Sequence, residues 1–130
     1  MAKVSSSIKT EPYKIEIKSP SGNVVIADEP VDNGGKDSGF SPKELLAAAL
    51  AACTSATVRM YADRKQWPLD EVKINIDLAR DEAANKTVIN RQIQFVGSLN
   101  DEQRKRLLAV ANACPVHKIL TNPIEINTSM

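Results

Sequence analysis

The chain has 130 residues, 42% apolar and 25% charged, with a formal charge of +1, which suits one globular domain over residues 1–130. That near-neutral charge gives no reason to expect a nucleic acid or an anionic membrane as partner, and no continuous apolar run approaches the roughly 20 residues that span a bilayer. Residues Met1 to Ser7 hold no hydrophobic segment of signal-peptide type, so a cytoplasmic location is the expectation, where a disulfide is more often transient than structural.

Tyr13, Ile15 and Ile17 alternate with Lys14, Glu16 and Lys18, the pattern of a half-buried strand. Ser19 to Asn23 is turn chemistry and Val24 to Ile26 returns as a second strand, so the spacing predicts a hairpin. Ser5 to Thr10 is a candidate edge strand before it, and a loop rich in Gly, Asp and Pro runs from Asp28 to Gly39. Ser41, Pro42 and Glu44 then carry the marks of a helix start: a capping hydroxyl, a proline at the first helical position and a carboxylate placed to close a capping box. The helix is expected to reach about Lys65, with Pro68 beyond its end.

Val72, Ile74, Ile76 and Leu78 alternate as a third strand, and Thr87 to Val96 reads as a fourth. Asn100 to Gln103 repeats the capping-box logic ahead of a second helix whose apolar face holds Leu107, Leu108, Val110 and Ala111. Cys114-Pro115 starts a short third helix through Leu120, and Ile124 to Ile126 is expected as a closing strand. The order predicts an α+β fold with a largely antiparallel sheet, one long central helix and two shorter C-terminal helices. Aromatic residues are only 4%, so the core is built from Ala, Val, Ile and Leu. A dimer that buries more surface is attractive for so light a core.

Cys53 and Cys114 are the two cysteines. Their spacing fits neither a zinc site nor a CxxC redox pair. Cys53 falls inside the alanine-rich helix, where a thiol packs as a small hydrophobe. The middle of a helix has no free N–H to favour a thiolate, so reactivity there requires a cation, hydroxyl or carboxylate from elsewhere in the fold. Cys114 as N-cap faces the positive end of a helix dipole, which favours thiolate; the bland reading is a cap chosen for size, although Ser, Thr, Asp and Asn are the usual choices.

His117, the single histidine, stands one helical turn from Cys114. One His and two distant Cys do not make a metal site, and no Asn or Asp signature accompanies a protease-type Cys–His pair. Helix packing or a surface hydrogen bond suits His117 better. Arg91 shares the apolar face of the fourth strand with Ile89, Ile93 and Phe95. A charge there needs either a structural partner, such as a carboxylate or a dimer seam, or a task beside a thiolate. Glu44 has an adequate job in the capping box and is a catalytic candidate only if it has a second one.

The segment from Ser41 to Thr54 and the segment Cys114-Pro115-Val116-His117 resemble the two cysteine motifs of the OsmC/Ohr family, which comprises osmotically induced proteins and organic hydroperoxide reductases. Thr57 to Lys65 and Trp67-Pro68-Leu69 are also similar to OsmC-like members, and the resemblance runs from about Tyr13 to the C-terminus. It implies an intertwined homodimer with active sites at the subunit interface. It also implies that Cys53 is the peroxidatic thiol and Cys114 the resolving thiol of a peroxidase acting on organic hydroperoxides, needing no cofactor. An external dithiol, in the family's reductases a lipoylated protein, then restores the pair. The reductases carry a Glu ten residues before the first Cys, where this chain has Lys43, and an Arg in the N-terminal strand region, whereas no Arg precedes Arg59 here. Glu44 stands one residue later; Lys9, Lys14 or Lys36 could supply the missing positive charge without the planar fork of a guanidinium, and Arg91 could supply a guanidinium instead. The alternatives are a non-catalytic dimer that binds a small apolar molecule and a redox-responsive regulator.

Overall fold

Alternation around Ile15 and Ile17 becomes strand β2 (Ile15–Lys18), the middle of a three-stranded antiparallel sheet in the computed structural model, which describes residues 1–130. β1 (Ser5–Ile8) and β3 (Val24–Ala27) flank it, with Ser7 opposite Glu16 and Ile17 opposite Val25. The β2–β3 turn closes where the sequence places it, with the Gly22 N–H donating to the Ser19 carbonyl at 3.0 Å. The chain divides into two compact units, Met1–Leu46 and Ala47–Met130.

In the first unit a single buried carboxylate organises the loop after β3. Asp28 is 2% exposed. It accepts the backbone N–H groups of Tyr13 (3.3 Å), Glu29 (2.8 Å), Lys36 (3.3 Å) and Ser38 (3.1 Å), and the Ser38 hydroxyl at 2.6 Å. A carboxylate surrounded by donors is strongly favoured over its acid form. The Ser38 hydroxyl, against the opposing effect of burial and with help from the backbone donors, lowers Asp28 from 3.8 to about 2. Composition marked this stretch as a loop without indicating its centre.

Helix α1 (Pro42–Lys65) begins on the expected box: Glu44 accepts the Ser41 N–H at 2.8 Å, and the Ser41 hydroxyl accepts the Glu44 N–H at 3.2 Å. Its buried positions are Leu50, Thr54, Val58 and Ala62, spaced by four along one face. By length and composition α1 is apolar enough to cross a membrane, with an 18-residue window of mean hydropathy 1.4, although its continuous apolar run is short. Alanines supply much of that value, and Val58 and Ala62 pack in the protein's own core.

In the second unit β4 (Leu69–Asp81) and β5 (Lys86–Gly97) form one long antiparallel hairpin, extending the expected strands at both ends. Ile74 faces Ile93 and Ile76 faces Arg91. A register shift between Leu69 and Glu71 lies opposite Gly97. There φ is 149° and any Cβ would run into the Pro68 carbonyl, so only glycine fits. α2 (Asp101–Asn112) starts on a complete capping box between Asn100 and Gln103, and α3 (Pro115–Leu120) follows directly. The core joins Val58 and Ala62 of α1, Leu69 and Phe95 of the hairpin, and Leu107 and Ala111 of α2.

The C-terminal expectation is corrected. Residues 124–126 form no strand, and Ile124 and Ile126 are 61% and 82% exposed. Alternation marks a strand only where a neighbouring edge can take up its N–H and C=O groups, and nothing in the chain pairs with this segment.

Two outcomes check this description. Leu107→Ala removes a side chain with no exposed surface and is expected to lower stability by about 2–5 kcal/mol, read from the denaturant midpoint. Asp28 favours the folded state most above its unfolded-chain value of 3.8, and that contribution is lost as pH falls through about 2. The NMR amide signals of Lys36 and Ser38 should therefore titrate together with a midpoint of about 2, and the shared step should vanish in Asp28→Ala.

Candidate functional site

The first turn of a helix leaves backbone N–H groups without intrahelical partners. In α3 the first helical residue is Pro115, which has no N–H, so the donors of Val116 and His117 need acceptors. Both acceptors are sulfurs. The Val116 N–H points to Cys53 Sγ at 3.5 Å, and the His117 N–H points to Cys114 Sγ at 3.4 Å. The two cysteines thus meet on adjacent donors of one turn. Both are free thiols, Cys53 half-buried and Cys114 fully buried.

Arg91 is brought in from the half-buried face of β5, and its partners are neutral. One guanidinium nitrogen, Nη1, donates to Thr54 Oγ1 at 2.9 Å. The other, Nη2, donates to Asn112 Oδ1 at 2.9 Å and to His117 Nδ1 at 3.1 Å. Arginine has no acceptor, so His117 Nδ1 accepts here and the ring proton belongs on Nε2. The carboxylate partner considered for Arg91 is not what the fold supplies: its ion pairs lie elsewhere, at Lys18–Glu16, Lys36–Glu11, Arg59–Asp63 and Arg80–Glu82. Of the two roles expected for His117, the hydrogen bond is present, and it joins α3 to the Arg91 network.

Thr54 connects this network to the sulfurs. Its hydroxyl lies 2.6 Å from the Leu50 carbonyl and 3.8 Å from Cys114 Sγ. Burial raises the Cys114 thiol, but the His117 N–H, the Thr54 hydroxyl, the Cys53 thiol and the Arg91 charge outweigh it and hold Cys114 below the ordinary thiol value of 9.0. Cys53 has a second contact, with Thr57 Oγ1 at 4.0 Å one turn along α1.

Beside the network lies a cleft of about 380 Å³. Arg91, Asn112, His117, Thr87 and Thr121 provide its polar lining, and Leu50, Ile89 and Leu120 its apolar lining. Neither sulfur lines it. Of the four candidate residues named from the sequence, Cys53, Cys114 and Arg91 converge here. Glu44 belongs to the N-terminal unit, and its carboxyl is held below its usual range by the Ser41 N–H and hydroxyl.

Thr54, Asn112 and the Val116 N–H are the parts of the site that sequence reading missed. A hydroxyl at the i+4 position from Leu50 on the buried stripe of α1 was the available signal for Thr54. Nothing local marked Asn112, whose task is set by a strand that lies elsewhere in the chain.

The sequence model for OsmC-like proteins matches residues 35–129. Among solved structures, the chain is similar to an osmotic stress induced and detoxification response protein from Psychrobacter arcticus 273-4, with 27% identity, TM-score 0.77, and coverage of 91% of this chain and 85% of that one. It shares its fold with an organic hydroperoxide resistance protein OsmC from Legionella pneumophila, at 20% identity and TM-score 0.70, covering 93% and 89% of the two chains. The same holds for the organic hydroperoxide resistance protein OhrB of Bacillus subtilis, at 24% identity and TM-score 0.64, covering 93% and 90%. A comparison with curated protein sequences gives no significant match. With a family match over most of its length and this architecture, the chain belongs to the OsmC-like family.

Proposed function

We propose that the protein is a cysteine peroxidase that reduces organic hydroperoxides through Cys53 and Cys114. The observation that carries this reading is the pair of sulfurs on adjacent N–H groups of one helical turn. Cys53 is the more accessible of the two and is assigned the attack. Its thiolate attacks the outer peroxide oxygen, the O–O bond breaks, and the alkoxide leaves to become an alcohol on taking a proton. The sulfur is oxidised by two electrons to a sulfenic acid. Cys114 then attacks that sulfur, the S–O bond breaks, and hydroxide leaves with the Cys114 proton as water.

An external dithiol, which we propose to be a lipoylated protein, reduces the disulfide. Arg91 contributes the positive charge that favours the Cys114 thiolate. Glu44 is assigned to the helix cap, where its carboxylate is already engaged.

A homodimer in the cytoplasm is part of the proposal. α1 exposes Ala49, Ala52, Ala56 and Met60 along one side, small side chains that allow a second helix to approach closely, and Cys53 lies among them in sequence. Ile119 is also exposed, at 57%.

The second reading is a non-catalytic binding protein, favoured by the fact that the cleft is lined by Arg91 and His117 rather than by either sulfur. The two readings separate cleanly. If the peroxidase reading holds, Cys53→Ser lowers hydroperoxide consumption to the uncatalysed rate, and Cys114→Ser consumes one equivalent and stalls. Thiol counting on the unmodified protein after a modest excess of organic hydroperoxide should then find none of the two thiols free, with the protein's mass showing an intramolecular disulfide. Two surviving thiols would reject the peroxidase, while ligand binding unchanged in a variant lacking both cysteines would support the binding protein.

A further inference from the structure

The hydrogen bonds around Thr54 do not close with a single placement of its proton. The hydroxyl has one hydrogen and two acceptor positions. Arg91 Nη1 occupies one acceptor position at 2.9 Å. The hydrogen has two possible targets, the Leu50 carbonyl at 2.6 Å and Cys114 Sγ at 3.8 Å. With Cys114 as a thiol, its S–H fills the second acceptor position on Thr54 Oγ1 and the hydroxyl donates to Leu50. With Cys114 as a thiolate, the sulfur can only accept, and the hydroxyl gains by turning toward it. Leu50 O tolerates the change because it remains the i−4 carbonyl of a continuous helix.

We propose that Thr54 is a positioning residue for the disulfide-forming step: a hydroxyl, fixed and polarised by Arg91, that rotates from the Leu50 carbonyl to Cys114 as that sulfur gives up its proton. This deepens the peroxidase reading and rests on it for the step concerned. The proton that moves within Thr54's hydrogen bonds is never transferred. The Cys114 proton leaves with the departing hydroxide as water, and the S–S bond replaces the S–O bond.

The groups acting on Cys114 are Cys53 and Thr54 from α1, Arg91 from β5 and the His117 N–H from α3, with the His117 ring one step removed on Arg91. Arg91 reaches the sulfur through Thr54 by hydrogen bonds and directly only through its charge. Removing the hydroxyl therefore takes away both the donor to the sulfur and the acceptor that holds one arm of the guanidinium. A methyl group in its place keeps the volume and shape of the side chain while removing both.

The experiment uses the full chain with Cys53→Ser, in which Cys114 is the single thiol, and follows thiolate ultraviolet absorbance against pH. Thr54→Val is expected to raise the Cys114 midpoint by about one to two pH units, the scale of one lost hydrogen bond to a charged sulfur, and Thr54→Ser to restore it. With Cys53 present, rapid-quench thiol counting after tert-butyl hydroperoxide should show disulfide closure in Thr54→Val slowed roughly three- to tenfold at neutral pH. The deficit should shrink above the shifted midpoint, since thiolate fraction falls tenfold per unit while nucleophilicity partly recovers.

A Thr54→Val midpoint equal to that of the parent overturns the proposal, and so does a Thr54→Ser variant displaced as far as valine. Should valine fail to fold, Thr54→Ala carries the same comparison. If both thiols of the unmodified protein survive hydroperoxide while the midpoint still moves with Thr54, the peroxidase reading fails and Thr54's control of Cys114 acidity stands.

Discussion

A proline at the first position of α3 leaves the turn with two donors to satisfy, and sulfur satisfies both. That is the constraint on which the site depends. Val116 and His117 are neighbours in the chain, so the atoms that accept their N–H groups are necessarily close to one another. One of those acceptors belongs to the residue that caps the helix, and the other comes from the middle of α1. A serine cap would have satisfied His117 at least as well. What the cysteine adds is a second oxidisable sulfur beside the first, in a position where backbone dipoles favour its charged form.

Around that turn the fold arranges charge economically. Arg91 is half-buried, and its partners within the chain are a hydroxyl, an amide oxygen and a ring nitrogen rather than a carboxylate. A carboxylate in the same place would hold the guanidinium more tightly, but it would also cancel the field that reaches Cys114. Neutral acceptors fix the orientation of the cation and leave its charge available. The arrangement draws on β5, α1, α2 and α3 together, and the core that joins β5, α1 and α2 holds the groups from those three elements in register. Val58 and Ala62 pack in that core one and two turns along α1 from Thr54, on the same face.

Helix starts and strand parity were readable in the sequence because their causes are local. Ser41 with Glu44 and Asn100 with Gln103 close their boxes within four residues. Ile89, Arg91, Ile93 and Phe95 share a face because a strand repeats every two residues. The same locality explains the misreading at Ile124 and Ile126, where an alternating pattern meets no partner strand within the chain. It also explains why Asp28 passed unnoticed, since its donors come from four separate backbone positions and only the folded loop brings them round one carboxylate.

The sequence by itself determined which residues cap, which alternate and which carry reactive chemistry, and its two cysteine motifs pointed to the family. Only the tertiary structure decided what those residues do to each other. A mid-helix cysteine has no free donor of its own, and the N–H that reaches Cys53 starts a helix far along the chain. Arg91 could have met a carboxylate within the chain; the fold gave it Thr54, Asn112 and His117 instead. Short-range rules follow from covalent spacing, whereas these pairings follow from which surfaces pack together, and that is settled by the core.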